Sequence, residues 1–494
     1  MLSKTLILTV FLVVAFSCSA ARCEDKNAKC DDDCQGENNQ QLAKMAEKLP
    51  TDRLIEPLIH FTGKLVKQLK YKDDNIIISP ISIHCALSQL SLAAQRDTVT
   101  EKELIKALGY SENATQQELD TFHSSYKSVI ENFKEINRIG MNALNKSQTQ
   151  GSRFGHAKKP PVVDFYNTII VKSGESLKKQ FSDRSLEYYK SLAEPIDPKK
   201  KETVTPVVEK INKWGKEAGF QSDILSERDF TNDFSAILIS AVRLQAFWFD
   251  DFYEGELEEV FHNFGIKSKP VKGKSLANRD IRGKLIEFSP ADKLEYKWQQ
   301  RQEIRSHLDK DSMKPITDLN FRLVELPLQG DINMVIIEPK DAGQGGELVA
   351  LSEKLLTDPT MLARVLGTLD TYHDESSAFI EHFRMPKFSF EKNLDLIQPL
   401  KSLGLKTIFE RSNSDLSEMM EQGGVSVDKV THQAMIEVTK YGIKAAGVTV
   451  MRAVAMSLMT SRNAPINIYV ENPFMYMIRL KKLPLFFGQV LKLD

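Results

Sequence analysis

Few residues of this 494-residue chain have the types and spacing that catalysis needs. There is no G-x-S-x-G turn to present a nucleophilic serine, no H-E-x-x-H helix to hold zinc and no G-x-x-x-x-G-K-[ST] loop to cradle a phosphate. Gly343-Gln-Gly345-Gly346 is glycine-rich, but it follows a strand-like run and precedes a leucine-rich helical pattern, so it reads as a loop. Cys23, Cys30 and Cys34 are close together, yet their spacing fits no zinc pattern and no His is near. One local disulfide plus a free or intermolecular thiol suits them better, and Cys85, inside an apolar run, reads as buried. No metal and no cofactor is expected.

The stretch with the most unusual composition runs from Glu437 to Asn463. With a strand's two-residue period, one row is Ile443, Ala445, Gly447, Thr449, Met451, Ala453 and Ala455. The other row is Lys444, Ala446, Val448, Val450, Arg452 and Val454, and it holds both charges. The first row can therefore be buried in a sheet at little desolvation cost. Gly442 and the Ala445-Ala446-Gly447 run are poor strand formers. The stretch reads as one that can become a strand without starting as one.

A large folded body must position it. At 41% hydrophobic and 27% charged residues, the chain can bury a sizeable core, and its net charge of −1 gives no global argument for nucleic acid or membrane surface. Lys4, the apolar run Leu6–Phe16 and the small residues Ser17–Ala21 have the order of a secretory signal peptide, with cleavage near Ala20. Residues 1–20 are thus expected to be removed and the protein to be secreted and extracellular. Residues 21–50 read as an acidic, cysteine-containing tail without fixed structure. Folded structure is expected from Leu54–Lys70, an amphipathic helix, followed by a short β run to Ser79-Pro80 and a helix capped by Ser82. Residues 140–161, rich in Gly, Ser, Asn and Pro, read as a surface loop, and Lys146, Arg153, His156, Lys158 and Lys159 are spread through it. A polyanion or glycosaminoglycan site is thinkable there, although a solvated linker fits the spread charges better. Asn113-Ala114-Thr115 and Asn145-Lys146-Ser147 are N-glycosylation sequons.

From about Leu54 to Asp494 the chain resembles the serpins. The Asn75–Ala94 stretch is similar to their asparagine, β run, Ser-Pro-x-Ser-Ile, helix signature. Similar blocks follow in order: Ile211–Trp214, Leu238–Trp248, Phe321–Pro339, Met385–Phe388, Leu403-Gly404 with Phe409 and Asp415–Ser417, His432–Ala434, Asn472–Phe474 and Pro484–Gly488. The resemblance implies a single α+β domain over 51–494, with about nine helices around three β-sheets, and an exposed reactive loop within a hinge-and-loop region at 442–463. It implies a monomer that is not an enzyme but an inhibitor of serine endopeptidases. A protease would cut the loop, form an acyl-enzyme with it and be trapped as the loop enters the main sheet.

The hinge would comprise Lys440, Gly442, Ile443, Lys444, Ala445, Ala446 and Gly447. Counting from Gly442 places the reactive bond at Met456–Ser457, a bait for elastase- or chymotrypsin-like enzymes with apolar pockets. Arg452 or Arg462 would instead offer a trypsin-like site. Ser79, Ser82, Ser240 and His432 would meet under the sheet opening, with Ser240 where the family has an asparagine. The hinge departs from the family: Ile443 stands for Thr or Ser, Lys440 and Lys444 for acidic residues, and Val448 for a small one. A bulky Ile443 threading between strands could slow insertion. A non-inhibitory binding or carrier module, cut only as a substrate, therefore stands as the alternative.

Overall fold

The computed structural model describes residues 52–149, 161–173, 176–250, 252–266, 270–288, 320–340, 345–370, 378–421, 424–444 and 466–493. The expected signal segment, the cysteine tail and the stretch Ala445–Pro465, with Arg452, Met456, Ser457 and Arg462, lie outside them.

Among the described residues there are nine α-helices. They are α1 (Asp52–Lys67), α2 (Pro80–Ser91), α3 (Val99–Ala107), α4 (Gln116–Thr149), α5 (Lys179–Tyr189), α6 (Lys201–Ala218), α7 (Glu347–Thr357), α8 (Pro359–Asp370) and α9 (Ile397–Ser402). Two details differ from the sequence reading. The cap of α2 is Ser79, whose side chain accepts from the Ser82 N–H, because Pro80 occupies the first helical position and places Ser82 inside the first turn. Residues 140–149 continue α4 rather than forming a loop. Met141, Ala143 and Leu144 are good helix formers, and a lone Gly140 costs only about 1 kcal/mol, too little to end a helix already propagating. Asn145 thus lies on helical backbone, and residues 150–160 fall outside the described set.

The strands are β1 (Ile76–Ile78), β2 (Val162–Lys172), β3 (Glu194–Ile196), β4 (Ala236–Phe247), β5 (Tyr253–His262), β6 (Pro270–Phe288), β7 (Phe321–Pro327), β8 (Ile332–Pro339), β9 (Ala378–Pro386), β10 (Phe388–Asp395), β11 (Val427–Thr439), β12 (Gly442–Lys444), β13 (Asn467–Tyr469), β14 (Phe474–Leu480) and β15 (Leu483–Val490). A six-stranded sheet has the order β10-β11-β12-β4-β2-β3. The other nine strands form one hydrogen-bonded path, β1-β15-β14-β8-β7-β6-β9-β13, with β5 beside β6. The long β6 serves two lobes: Lys284–Phe288 pair with β7, and Ser275–Gly283 with β9. This gives the three-sheet arrangement of the α+β fold with one strand shared.

At β4 the six-stranded sheet is buried on both faces. Leu238, Val242, Leu244 and Ala246 of β4 join the main core with Ile81, Ile83 and Leu87 of α2. The alternate residues Ile237, Ile239 and Ala241 pack in a second cluster with Val204, Val208, Ile211 and Ala218 of α6. Successive β4 side chains point to opposite faces, so both rows are largely apolar, interrupted by Ser240 on one and by Arg243 and Gln245 on the other.

Candidate functional site

The centre of the six-stranded sheet is a seam. β4 and β11 run parallel and pair directly at six positions, from Ala236 with Val427 to Ala241 with Gln433. Parallel pairing is slightly weaker per residue than the antiparallel ladders on either side. Above it the strands part and β12 lies between them, antiparallel to both. Gly442, Ile443 and Lys444 pair with Phe247, Ala246 and Gln245 on one side. On the other side they pair with Thr439, Val438 and Glu437. The offset between facing β4 and β11 residues is the same above and below, so β12 enters without shifting the register. Among the described residues, 242–244 and 434–436 have no partner across the seam.

The sequence dictates how this hinge is held. Val427–Thr439 is a long β run that ends in the turn Thr439–Gly442. The Trp248 N–H donates to the Tyr441 carbonyl (3.1 Å), its indole N–H to Thr439 O (2.8 Å), and the Phe252 N–H to Lys440 O (3.0 Å). The Thr439 hydroxyl donates to Gly442 O at 3.0 Å. Gly442 has φ 152°, and a Cβ there would run into the Ala246 carbonyl. Ile443 is 2% exposed and packs in the main core with Ala246 and Val438. Lys440 lies beside the Tyr441 ring, 5.0 Å from its centroid. Of the expected hinge residues, Ala445, Ala446 and Gly447 lie outside the described set.

Below the hinge, the structure brings Ser79, Ser82, Ser240 and His432 together, all buried. His432 Nε2 accepts from the Ser79 N–H (3.0 Å), so the ring proton is on Nδ1, which faces Ser240 O (3.0 Å) and Ser240 Oγ (3.3 Å). The Ser82 hydroxyl donates to Asn167 Oδ1 at 2.9 Å, leaving its oxygen to accept from the Ser240 hydroxyl at 2.7 Å. Burial lowers the His432 pKa to about 4, with the bond to Ser240 O opposing, so the ring is neutral. Asn167 was missed from the sequence. It sits in the middle of β2 directly across from Ser240, and returns its amide to Ser82 O at 3.2 Å. The amide absent at position 240 is thus supplied by the next strand. A lone Asn just ahead of the apolar run Ile169–Val171 was the only hint. Cys85, one turn along α2, is a buried free thiol that burial pushes up to about 12.

The chain re-enters the described structure at Ile466. β13 pairs in parallel with β9, and the Arg384 guanidinium lies 4.7 Å over the Tyr469 ring while pairing with Glu471. Arg322 sends Nε and Nη2 to Glu338 Oε2 (2.9 and 2.7 Å) and Nη2 to Tyr469 O (2.8 Å). Glu338 is 1% exposed, and burial pushes its pKa up to about 7 against the pull of Arg322 and of the Asn472 and Glu471 backbone. Asn113 is exposed. Among the described residues no group of three His, Cys, Asp or Glu side chains is placed to hold a metal, and no helix is long and apolar enough to cross a membrane.

Comparison with known proteins agrees with this geometry. The family model described as Serpin (serine protease inhibitor) matches residues 57–273 and 302–493. Serine protease inhibitor 42Dd of Drosophila melanogaster is 25% identical, over 87% of this chain and 95% of its own. Among solved structures, Serpin48 of Tenebrio molitor, titled a highly specific serpin, superposes with TM-score 0.62 at 18% identity, covering 90% of this chain and 100% of that one. Human thyroxine-binding globulin, solved in complex with thyroxine, gives TM-score 0.61 at 16% identity over 91% of this chain and 99% of that one.

Proposed function

The chain belongs to the serpin family, and we propose that it acts outside the cell as a suicide-substrate inhibitor of a serine endopeptidase. The observation that carries this reading is the hinge seated between β4 and β11 in a register that can continue. Continued, that register would put Ala445, Ala446 and Gly447 beside residues 242–244, on the edge of β4 that faces the seam. It puts Thr449 between Ser240 and His432, and Ala453 beside Ala236 at the foot of β4. The inward residues Ile443, Ala445, Gly447, Thr449, Met451 and Ala453 would all be small or apolar there, while Lys444 would lie between Gln245 and Glu437.

The same register weighs the candidate bonds. Cleavage after Met456 leaves three residues beyond the foot of the sheet, a short tether that presses the protease against the body. Cleavage after Arg452 would draw the acylated residue into the sheet itself, and cleavage after Arg462 would leave a slack tether. Met456–Ser457 is the reading favoured, with an elastase- or chymotrypsin-like target. The protease hydroxyl attacks the Met456 carbonyl carbon, the bond to Ser457 breaks, and the protonated Ser457 amine departs, leaving an ester. Insertion then has to outrun hydrolysis of that ester. Secretion after removal of residues 1–20, and glycosylation at the exposed Asn113, belong to the same proposal.

A carrier function is the second reading, favoured by Ile443 and the basic Lys440 and Lys444 at the hinge. The test is incubation with elastase-, chymotrypsin- and trypsin-like proteases, then denaturing electrophoresis. A covalent band at the summed mass and a released fragment beginning at Ser457 are expected. Clean cleavage with no such band, and no rise in melting temperature of the cut protein, would leave the carrier reading.

A further inference from the structure

Helix α6 lies across the seam and is held differently on its two sides. Toward β2 and β4 it is held by apolar packing, through Ile211, Val204 and Val208 against Ile170, Ile237 and Ile239. Toward β10 and β11 a single apolar side chain, Met435, joins the same cluster, and the rest of the hold is polar. Past the Gly219 C-cap of α6, the Gln221 N–H donates to Glu391 Oε2 (2.7 Å) and the Ser222 N–H to Oε1 (3.3 Å). The Ser222 hydroxyl also donates to Glu391. The fully buried Gln433 of β11 donates from Nε2 to Glu391 Oε1 (2.6 Å) and to Ser222 O (3.2 Å). One carboxylate on β10 thus gathers four donors from the α6 connection and from β11.

We propose that Glu391, with Gln433 and Ser222, is a clamp across the seam that sets how fast the loop inserts. A strand interposed between β4 and β11 moves them apart by about 4.8 Å. The connection, kept on β4 by its apolar side, then cannot hold Glu391 and Gln433 at hydrogen-bond distance. Bonds to a charged acceptor are the stronger kind, so their loss falls on the barrier to opening. Glu391 is a positioning residue: it touches neither the reactive bond nor the protease. The inference rests on the inhibitor reading, so its test needs no protease.

A synthetic peptide spanning residues 445–453, the part of the register beyond the seated Gly442–Lys444, is offered to the intact protein, and its uptake is followed by a fluorescent label. Glu391→Gln, or Gln433→Met should that variant fail to fold, is expected to take up the peptide at least about ten-fold faster than the native chain, equivalent to one such bond. Leu355→Ala, which opens a cavity beneath α7 away from the seam and from both ties of the loop, controls for general destabilisation and is expected to leave uptake unchanged. Equal uptake by Glu391→Gln and the native chain, or equal acceleration in Leu355→Ala, would overturn the clamp while leaving the inhibitor reading standing. Absence of uptake in every protein would overturn both.

Discussion

The reactive-loop region is tied to the body at both ends, and the two ties are built differently. At Gly442–Lys444 the hold is mostly backbone ladder plus one buried side chain, Ile443. Each further residue could repeat the same pairing in the same register, so this tie can lengthen. At Ile466–Glu471 the hold is the Arg322–Glu338 pair reaching Tyr469 O, together with Arg384 on Tyr469 and Glu471. Those contacts are specific side-chain geometries that cannot be extended, only broken. On the proposed inhibitor reading, cutting the chain between the two ties would let the near one lengthen without disturbing the far one.

The largest effect that would sharpen this contrast is expected at the far tie. Arg322→Met leaves Glu338 buried without its partner and should cost about 3–5 kcal/mol at pH 8. At pH 5 the loss should be much smaller. Glu338 has its pKa raised to about 7, so the folded protein holds a proton there that the unfolded chain, near 4.5, releases; the stability associated with it is present below 4.5 and lost as pH rises through 7. Thermal unfolding at the two pH values checks this, and equal losses would mean that the ion pair is not the anchor.

The seam should respond to pH in the opposite sense. His432 is depressed from 6.5 to about 4, so the unfolded chain takes up a proton first and stability falls as pH drops from about 6.5 to 4. The shift corresponds to roughly 3 kcal/mol. The buried His84 and His123, lowered to about 4 and about 3, add to the same acid limb. His432→Gln should flatten part of that limb in urea titrations. An unchanged acid limb would show that the ring is not held neutral at the seam.

Gly442→Ala comes next. Its Cβ cannot coexist with the Ala246 carbonyl, so the near tie should leave the sheet, at a cost of about 1–3 kcal/mol. Hydrogen exchange should then rise at Ile443 and Lys444 and stay slow at Ile468. Faster exchange at both ends would mean that the two ties are coupled.

How much of this was legible depended on whether the signal was local. The alternating rows after Gly442 and the Ser-Pro-x-Ser-Ile block could be read because a strand's period and a helix start are written in neighbouring residues. The Ser79 cap was misplaced by three residues because Pro80 shifts the helix start, and α4 outran a Gly140 that looked like a boundary. Asn167, Glu391 and Arg322 stayed hidden for a different reason. Each acts on residues far away in sequence, through pairings such as Asn167 with Ser240 that exist only once the strands are in register.

The smallest expected effect bears most directly on whether the near tie works. On sequence grounds, Ile443 looked like an obstacle, a branched side chain to be threaded between packed strands. In the folded protein it is already past that point, 2% exposed between Ala246 and Val438. The next residue in the inward row, Ala445, is small. Ile443→Val should therefore lose only the buried methylene, about 0.5–1.5 kcal/mol, seen as a slightly lower melting temperature. The number of inhibitor molecules consumed per protease trapped should not change. A clear fall in that number would show that Ile443 still limits insertion, and the near tie would then be a brake rather than a start.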